Sequence, residues 1–356
     1  MIKLFKVKLP IVKLSIAKQG LKLLSALALT AVASVSQASK EMILATWLPA
    51  SHPMNATVFP EWADQIEQTT EGRVKVKLEY DLGHPKSYFD LVEDGVADAS
   101  WSVHGYIPGR FVMTEVAEMP YVKADARASS AAFWKVNEEF FARQNEHDGI
   151  ELLALFTNGG NCLYLTRPAN NFNDIKGRKI RVTGGIASRL GELIGVTGIS
   201  APASKIYELQ QQGVVDGTII SLQDLKALRL SEVTKQVICF PGGLYRASFS
   251  FFIGEDFMAG LSARDQQAIR ALSGEKLSAR IGQVWQEADA DGINVALANG
   301  VEIINLTEDD DMSKELIRIL PLVENKWLDN AKKRGVDGNA ALQAYRKYAE
   351  NYTPQG

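Results

Sequence analysis

The sequence predicts an α/β protein built as two similar lobes, on three observations. Its 356 residues exceed the roughly 250–300 residues at which a single core stops growing. From Glu41 onward, strand-like stretches alternate with amphipathic helical ones, the order that produces parallel sheets. That order then recurs: "EDGVADASW" at 93–101 and "QQGVVDGTI" at 211–219 place Gly, Val, Asp and a strand in the same sequence. Both read as helix-to-strand turns, with Gly closing the helix and Asp preceding the strand. A hydrophobic fraction of 46% and a charged fraction of 23% are ordinary globular usage, which argues against disorder and against a many-span membrane protein.

The elements follow in order. Residues 1–38 carry Lys3, Lys6, Lys8, Lys13, Lys18 and Lys22 and no acid. The apolar run "LLSALALTAVASVSQA" after them is shorter than the ~20 residues needed to span a bilayer. With Ser36 and Ala38 placed for signal peptidase, the segment reads as a secretory signal peptide cleaved after Ala38. Losing six lysines and no acid would move the formal charge from −3 to −9. So acidic a mature chain is a poor candidate for nucleic acid, whose binding rests on phosphate neutralisation.

"MILATWL", "VKVKLEY" and "DASWSV" read as strands separated by the helices "TVFPEWADQIEQTT" and "SYFDLVEDGVA". A second series follows: strand "KIRV", helices "ASRLGELIGV" and "SKIYELQQQGVV", strand "DGTIIS". Between the two series run "IELLALFTNGGNCLYLTRP" and "KQVICFPGGLYRASFSFFIG", each a pair of strand-like segments broken at Gly-Gly. Such segments can cross from one lobe to the other, with their glycines as hinges. Two crossings divide the chain into 39–158 with 247–286 and 159–246 with 287–345, leaving a tail at 346–356. A helix capped by Ser262 is expected to run beyond 25 residues, and the charged helices after it read as solvated faces.

Catalytic signatures are missing. There is no Gly-x-Ser-x-Gly elbow, Walker loop or His-Glu-x-x-His, and His52, His84, His104 and His147 lack metal-ligand spacing. The reading is of a binding protein rather than an enzyme, with no cofactor and no residues with metal-ligand spacing; whether a metal ion assists binding stays open. Cys162 and Cys239 have neither redox nor metal spacing, and whether they pair stays open.

"IKGRKIRVTGG" followed by "SKIYELQQQGVVDGTI", together with the earlier "DLVEDGVADASW", resembles the solute-binding subunits of tripartite ATP-independent periplasmic (TRAP) transporters over essentially the whole mature chain. The resemblance implies a two-lobed periplasmic-binding-protein-like fold with an interlobe cleft, crossing strands and a long C-terminal helix. It implies capture of a small organic acid in the periplasm and delivery to an ion-gradient-driven membrane permease. A periplasmic sensor of the same fold, feeding a signalling partner, is the alternative. It also implies that Arg181, in the "KIRV" strand, grips the substrate carboxylate, with Arg167 in "LTRPAN" assisting.

Strand alternation supports the first assignment independently. Ile180 and Val182 share one face while Lys179, Arg181 and Thr183 take the other, at the carboxyl end of a strand where open α/β sheets bind ligands. Thr183, Gly184 and Gly185 would keep the next turn small so that a carboxylate can approach. Further cleft candidates are Trp47 and His52 after the first strand, Trp101 and His104 at the third, Phe156 and Asn158 before the first hinge, and Tyr245 after the second. The pair Ile219 and Ile220, where related acid-sugar binders often carry asparagine, and Ala203 in place of an aromatic suggest an acid with an apolar or aromatic body. Only one of the two isoleucines can face the cleft, and Ile220 is the candidate.

Overall fold

The computed structural model describes residues 39–354, so the expected signal peptide lies outside the described residues. The strands are β1 (Lys40–Thr46), β2 (Val74–Tyr80), β3 (Ala99–Val103), β4 (Ile150–Thr157), β5 (Cys162–Leu165), β6 (Lys179–Val182), β7 (Thr197–Ser200), β8 (Gly217–Ile220), β9 (Gln236–Cys239), β10 (Ser248–Gly254) and β11 (Glu302–Asn305). They form two sheets, ordered β2-β1-β3-β10-β4 and β11-β9-β5-β8-β6-β7. The sheets are mixed, which corrects the expectation of parallel ones. β10 runs antiparallel to β3 and β4, and β5 antiparallel to β8 and β9. These are the crossing segments: β4 and β10 join the first sheet, β5 and β9 the second, and a strand arriving from the other sheet enters head to tail.

The two crossings lie back to back at their glycines. A Cβ on Gly243, whose φ is +85°, would stand 2.5 Å from Gly160 Cα, so no larger side chain fits there. Cys162 and Cys239, at the start of β5 and the end of β9, are joined by a disulfide. It closes a loop across a sequence separation of 77 residues, for which chain-entropy arguments give stabilisation of about 4.5 kcal/mol. Replacing both cysteines by alanine should therefore lower the urea midpoint and steepen the unfolding slope, because the unfolded chain without the cross-link is more expanded. An unchanged midpoint would show that the bond does not constrain the unfolded chain.

The two repeated turns match at the level of single hydrogen bonds. Val96 N–H and Ala97 N–H both donate to Leu91 O, and Val214 N–H and Val215 N–H both donate to Leu209 O. Asp98 Oδ2 then accepts from Ile43 N–H at 2.7 Å, and Asp216 Oδ2 from Lys179 N–H at 2.9 Å. Each aspartate thereby fixes its strand against the first strand of its own series.

The helix capped by Ser262 ends at Ala271, and a separate helix, Glu275–Ala298, begins after Gly274. The second helix packs on Ala126–Val136 and β4 on one side and on Asp224–Ala227 on the other. The boundary expected at residue 286 thus falls inside one continuous helix that touches both halves. Residues 346–350 likewise close the helix Gly338–Glu350 rather than open a tail. β7, β11 and the helix Ala126–Val136 had no counterpart in the sequence reading. β7 and β11 are edge strands with exposed or half-buried residues, so no burial alternation marks them.

Candidate functional site

β6 buries Ile180 and Val182 in the core, and its alternate residues Arg181 and Thr183 turn into a cavity. The opposite wall comes from the ends of β1 and β3, through Trp47, Leu48 and Val103. The free volume between the walls is only about 30 Å³. The walls therefore stand close together around a thin slot.

Arg181 decides what the slot can do. It is 0% exposed, yet only its Nε–H is partnered, donating to Ala201 O at 2.7 Å. Nη1 and Nη2 are buried with no hydrogen-bond partner among the described residues. Burying guanidinium donors unpaired is costly, and a planar fork of two parallel N–H groups matches a carboxylate.

The surroundings of the guanidinium are largely aromatic, with one carboxyl, Asp224, within reach of its charge. Trp47 stacks on Trp101 at 4.7 Å and meets Tyr106 edge-on at 5.6 Å, while Phe249 and Trp285 lie 4.9 Å apart. The hydroxyl of Tyr106 accepts from Ala203 N–H at 2.8 Å, and that of Tyr245 meets Thr183 Oγ1 at 2.9 Å. Burial raises the pKa of both phenols, against the opposing charge of Arg181. Burial lowers His52 to about 3, so its imidazole is neutral. Asp224 is pushed up to about 7 by burial, with Asp289 adding and Ser221 and Arg181 opposing. Its Oδ2 accepts from Ser221 Oγ at 2.8 Å.

The matched family model, bacterial extracellular solute-binding protein family 7, spans residues 44–316. This chain belongs to that family. A relative from Comamonas testosteroni, named outer membrane transporter protein TsaT, is 30% identical over 92% of this chain and 97% of its own. A TRAP periplasmic solute-binding protein of Bordetella bronchiseptica, solved with bound (R)- and (S)-mandelate, is 33% identical. It superposes at a TM-score of 0.84 over 87% of this chain and 99% of its own. The fold is shared further with a TRAP solute-binding protein from Rhodoferax ferrireducens in complex with copurified benzoate. That chain is 24% identical with a TM-score of 0.82, over 88% of this chain and 98% of its own.

Of the residues singled out in the sequence of this solute-binding protein, Trp47, His52, Asn158, Arg181, Ile220 and Tyr245 line the cavity. Ile219 faces the core instead. Four others do not line it. Arg167 is 69% exposed and pairs with Asp216 at 3.1 Å. Because β5 is antiparallel to β8, with Cys162 opposite Ile220 and Leu165 opposite Gly217, the residues after β5 emerge at the far end of the sheet. Trp101 lies one layer deeper, donating its indole N–H to Thr46 Oγ1 at 3.0 Å. Phe156 is stacked behind Phe249 at 5.0 Å. His104 turns away from the cavity, toward Ser248 Oγ at 2.9 Å and His147 Nε2 at 3.2 Å.

The cavity also contains Tyr106, Asn161, Asp224, Phe249 and Trp285, none of which had been singled out. Asn161 had a usable signal, a polar residue in the Gly-Gly turn beside a crossing strand. Trp285 had none, since it comes from the middle of a helix distant in sequence.

Proposed function

We propose that this protein captures a small monocarboxylic acid with an apolar or aromatic body, its carboxylate bound by Nη1 and Nη2 of Arg181 and its body between Trp47, Phe249 and Trp285. The observation that carries this reading is the buried guanidinium, two of its three nitrogens unpartnered, in an aromatic slot. The mandelates bound by the Bordetella bronchiseptica protein are acids of this class. The protein is exported with its leader removed after Ala38, acts in the periplasm without catalysing a reaction, and hands its ligand to the membrane permease of a TRAP transporter.

A thermal-shift series tests the ligand class. A ligand at 100 times its Kd adds about 2.7 kcal/mol, so aromatic monocarboxylates should raise the midpoint by several degrees and polyhydroxylated acids should not. No shift with any aromatic monocarboxylate would sink the assignment.

Binding should also weaken as pH rises through about 7. Asp224, at about 7 in the free protein, is helped to ionise by Arg181. A bound carboxylate offsets that help and adds repulsion, so the complex holds the Asp224 proton more tightly than the free protein does. Proton uptake on binding means that affinity is lost above the free pKa, by up to about tenfold per pH unit. His52 stays neutral throughout this window. Asp289, at about 6, titrates lower. Calorimetric titrations from pH 5.5 to 8.5 should show this slope, and Asp224→Asn should flatten it. An equal slope in the variant would assign the proton elsewhere.

A further inference from the structure

Asn161 offers a second donor to whatever occupies the cavity, and its orientation follows from a chain of hydrogen bonds. The Ala247 N–H can only donate, and its partner at 2.9 Å is Asn158 Oδ1. The other end of that amide, Asn158 Nδ2, must then donate, and it does so to Asn161 Oδ1 at 2.8 Å. This leaves Asn161 Nδ2, on a residue 1% exposed, with no partner. Turning the amide over would set two donors against each other. The backbone is held as well, since Asn161 N–H donates to Tyr245 O at 2.9 Å and its carbonyl accepts from Leu244 N–H at 3.0 Å. Two N–H groups on a residue that lines the cavity are therefore buried and unpaired, a cost that a bound acceptor would remove.

Those donors stand apart from the guanidinium. Asn161 precedes β5 and Arg181 lies on β6, with β8 between them, so their backbones are two strand spacings apart, about 10 Å. Arg181 is tethered in the other direction, to Ala201 beyond β7. The chemistry at the two places also differs. Arg181 is the one cationic side chain lining the cavity among the described residues, and His52 and Asn161 are neutral while Asp224 is an acid. A second anionic group on the ligand would have no cation to meet it.

We infer that Asn161 is a specificity-determining contact, whose amide N–H groups select monocarboxylic acids bearing a second, uncharged acceptor oxygen, a hydroxyl, oxo or ether group, on their apolar body. This rests on the carboxylate reading of Arg181, and the test separates the two. Affinities are measured for phenylacetate against mandelate and for benzoate against 3-hydroxybenzoate, on the wild type and on Asn161→Leu. In the wild type the oxygen-bearing acid of at least one pair should bind about tenfold or more tightly than its parent, because a site built to pair a ligand oxygen rejects the analogue lacking it. In Asn161→Leu the ratio should fall to within about twofold, with the parent acid still bound.

Equal wild-type affinities within both pairs would overturn the inference while leaving the carboxylate reading standing, and that comparison needs no variant to fold. A ratio that survives in Asn161→Leu would also overturn it. If no acid of either pair binds, or if binding is unaffected by Arg181→Met, the carboxylate reading fails and the inference fails with it.

Discussion

Arg181→Met should yield a protein that folds at least as well as the original and has lost its response to acids. The guanidinium sits at 0% exposure with two unpartnered nitrogens. Replacing such a group with an apolar side chain of similar length removes a buried charge with two unpaired nitrogens, and near pH 7 Asp224 can take up a proton in its absence, so the change is expected to be neutral or stabilising. In the complex the same substitution removes from the carboxylate the one cation that lines the cavity among the described residues. Truncating one partner of a buried, hydrogen-bonded charge pair costs about 2–5 kcal/mol, roughly 30-fold to several thousand-fold in Kd. A thermal melt of the free variant and a titration with the best aromatic acid read the two halves separately. A variant that is less stable when free and still binds would show that Arg181 is a structural residue, partnered in ways the cavity geometry does not suggest.

Gly184→Ala should be nearly as damaging, for a reason that lies in the backbone. Gly184 follows β6 with φ at +127°, and a Cβ there would stand 2.2 Å from Gly105 O. Gly105 lies in the turn after β3, so this contact joins the two sheets immediately beside Arg181 and Tyr106. A side chain pays for the unfavourable backbone region, about 1–3 kcal/mol, and then forces the turns apart. The reverse substitution is different. A Cβ on Gly105 would meet nothing closer than 3.7 Å, an ordinary contact. Gly184→Ala should therefore lower the urea midpoint and weaken acid binding at least tenfold, while Gly105→Ala should do neither. Equal effects from the two would remove the role of this contact in closing the slot. The glycine pair after "KIRVT" was expected to make room for a carboxylate, but Gly184 instead makes room for another backbone.

Features set by local geometry were legible in the sequence, and features set by long-range pairing were not. Period-two alternation in "KIRVT" was enough to lift Arg181 out of the core, because a strand has only two faces. The same logic separated Ile220 from Ile219 only in principle, since nothing in the sequence says which face meets the cleft. The helix-to-strand turns at Gly95 and Gly213 were legible because their hydrogen bonds are local. Arg167 was misplaced because its position depends on β5 running antiparallel to β8, a long-range fact with no local mark. Trp101 and Phe156 belong to the right strands but the wrong depth: Val103, two residues on from Trp101 and on the same face, lines the cavity. Asn161 stood in a legible turn, but the orientation of its amide depends on the distant Ala247 N–H, which orients Asn158, and Asp224 becomes significant only through Arg181 and Asp289, far along the chain.

The most direct test of the central claim is a crystal structure of the protein grown with an aromatic monocarboxylate such as mandelate or benzoate. The two carboxylate oxygens should lie about 2.7–2.9 Å from Nη1 and Nη2 of Arg181, with the ring between Trp47, Phe249 and Trp285. An acid bound elsewhere, or bound in the cavity with the guanidinium nitrogens still unpaired, would contradict the account.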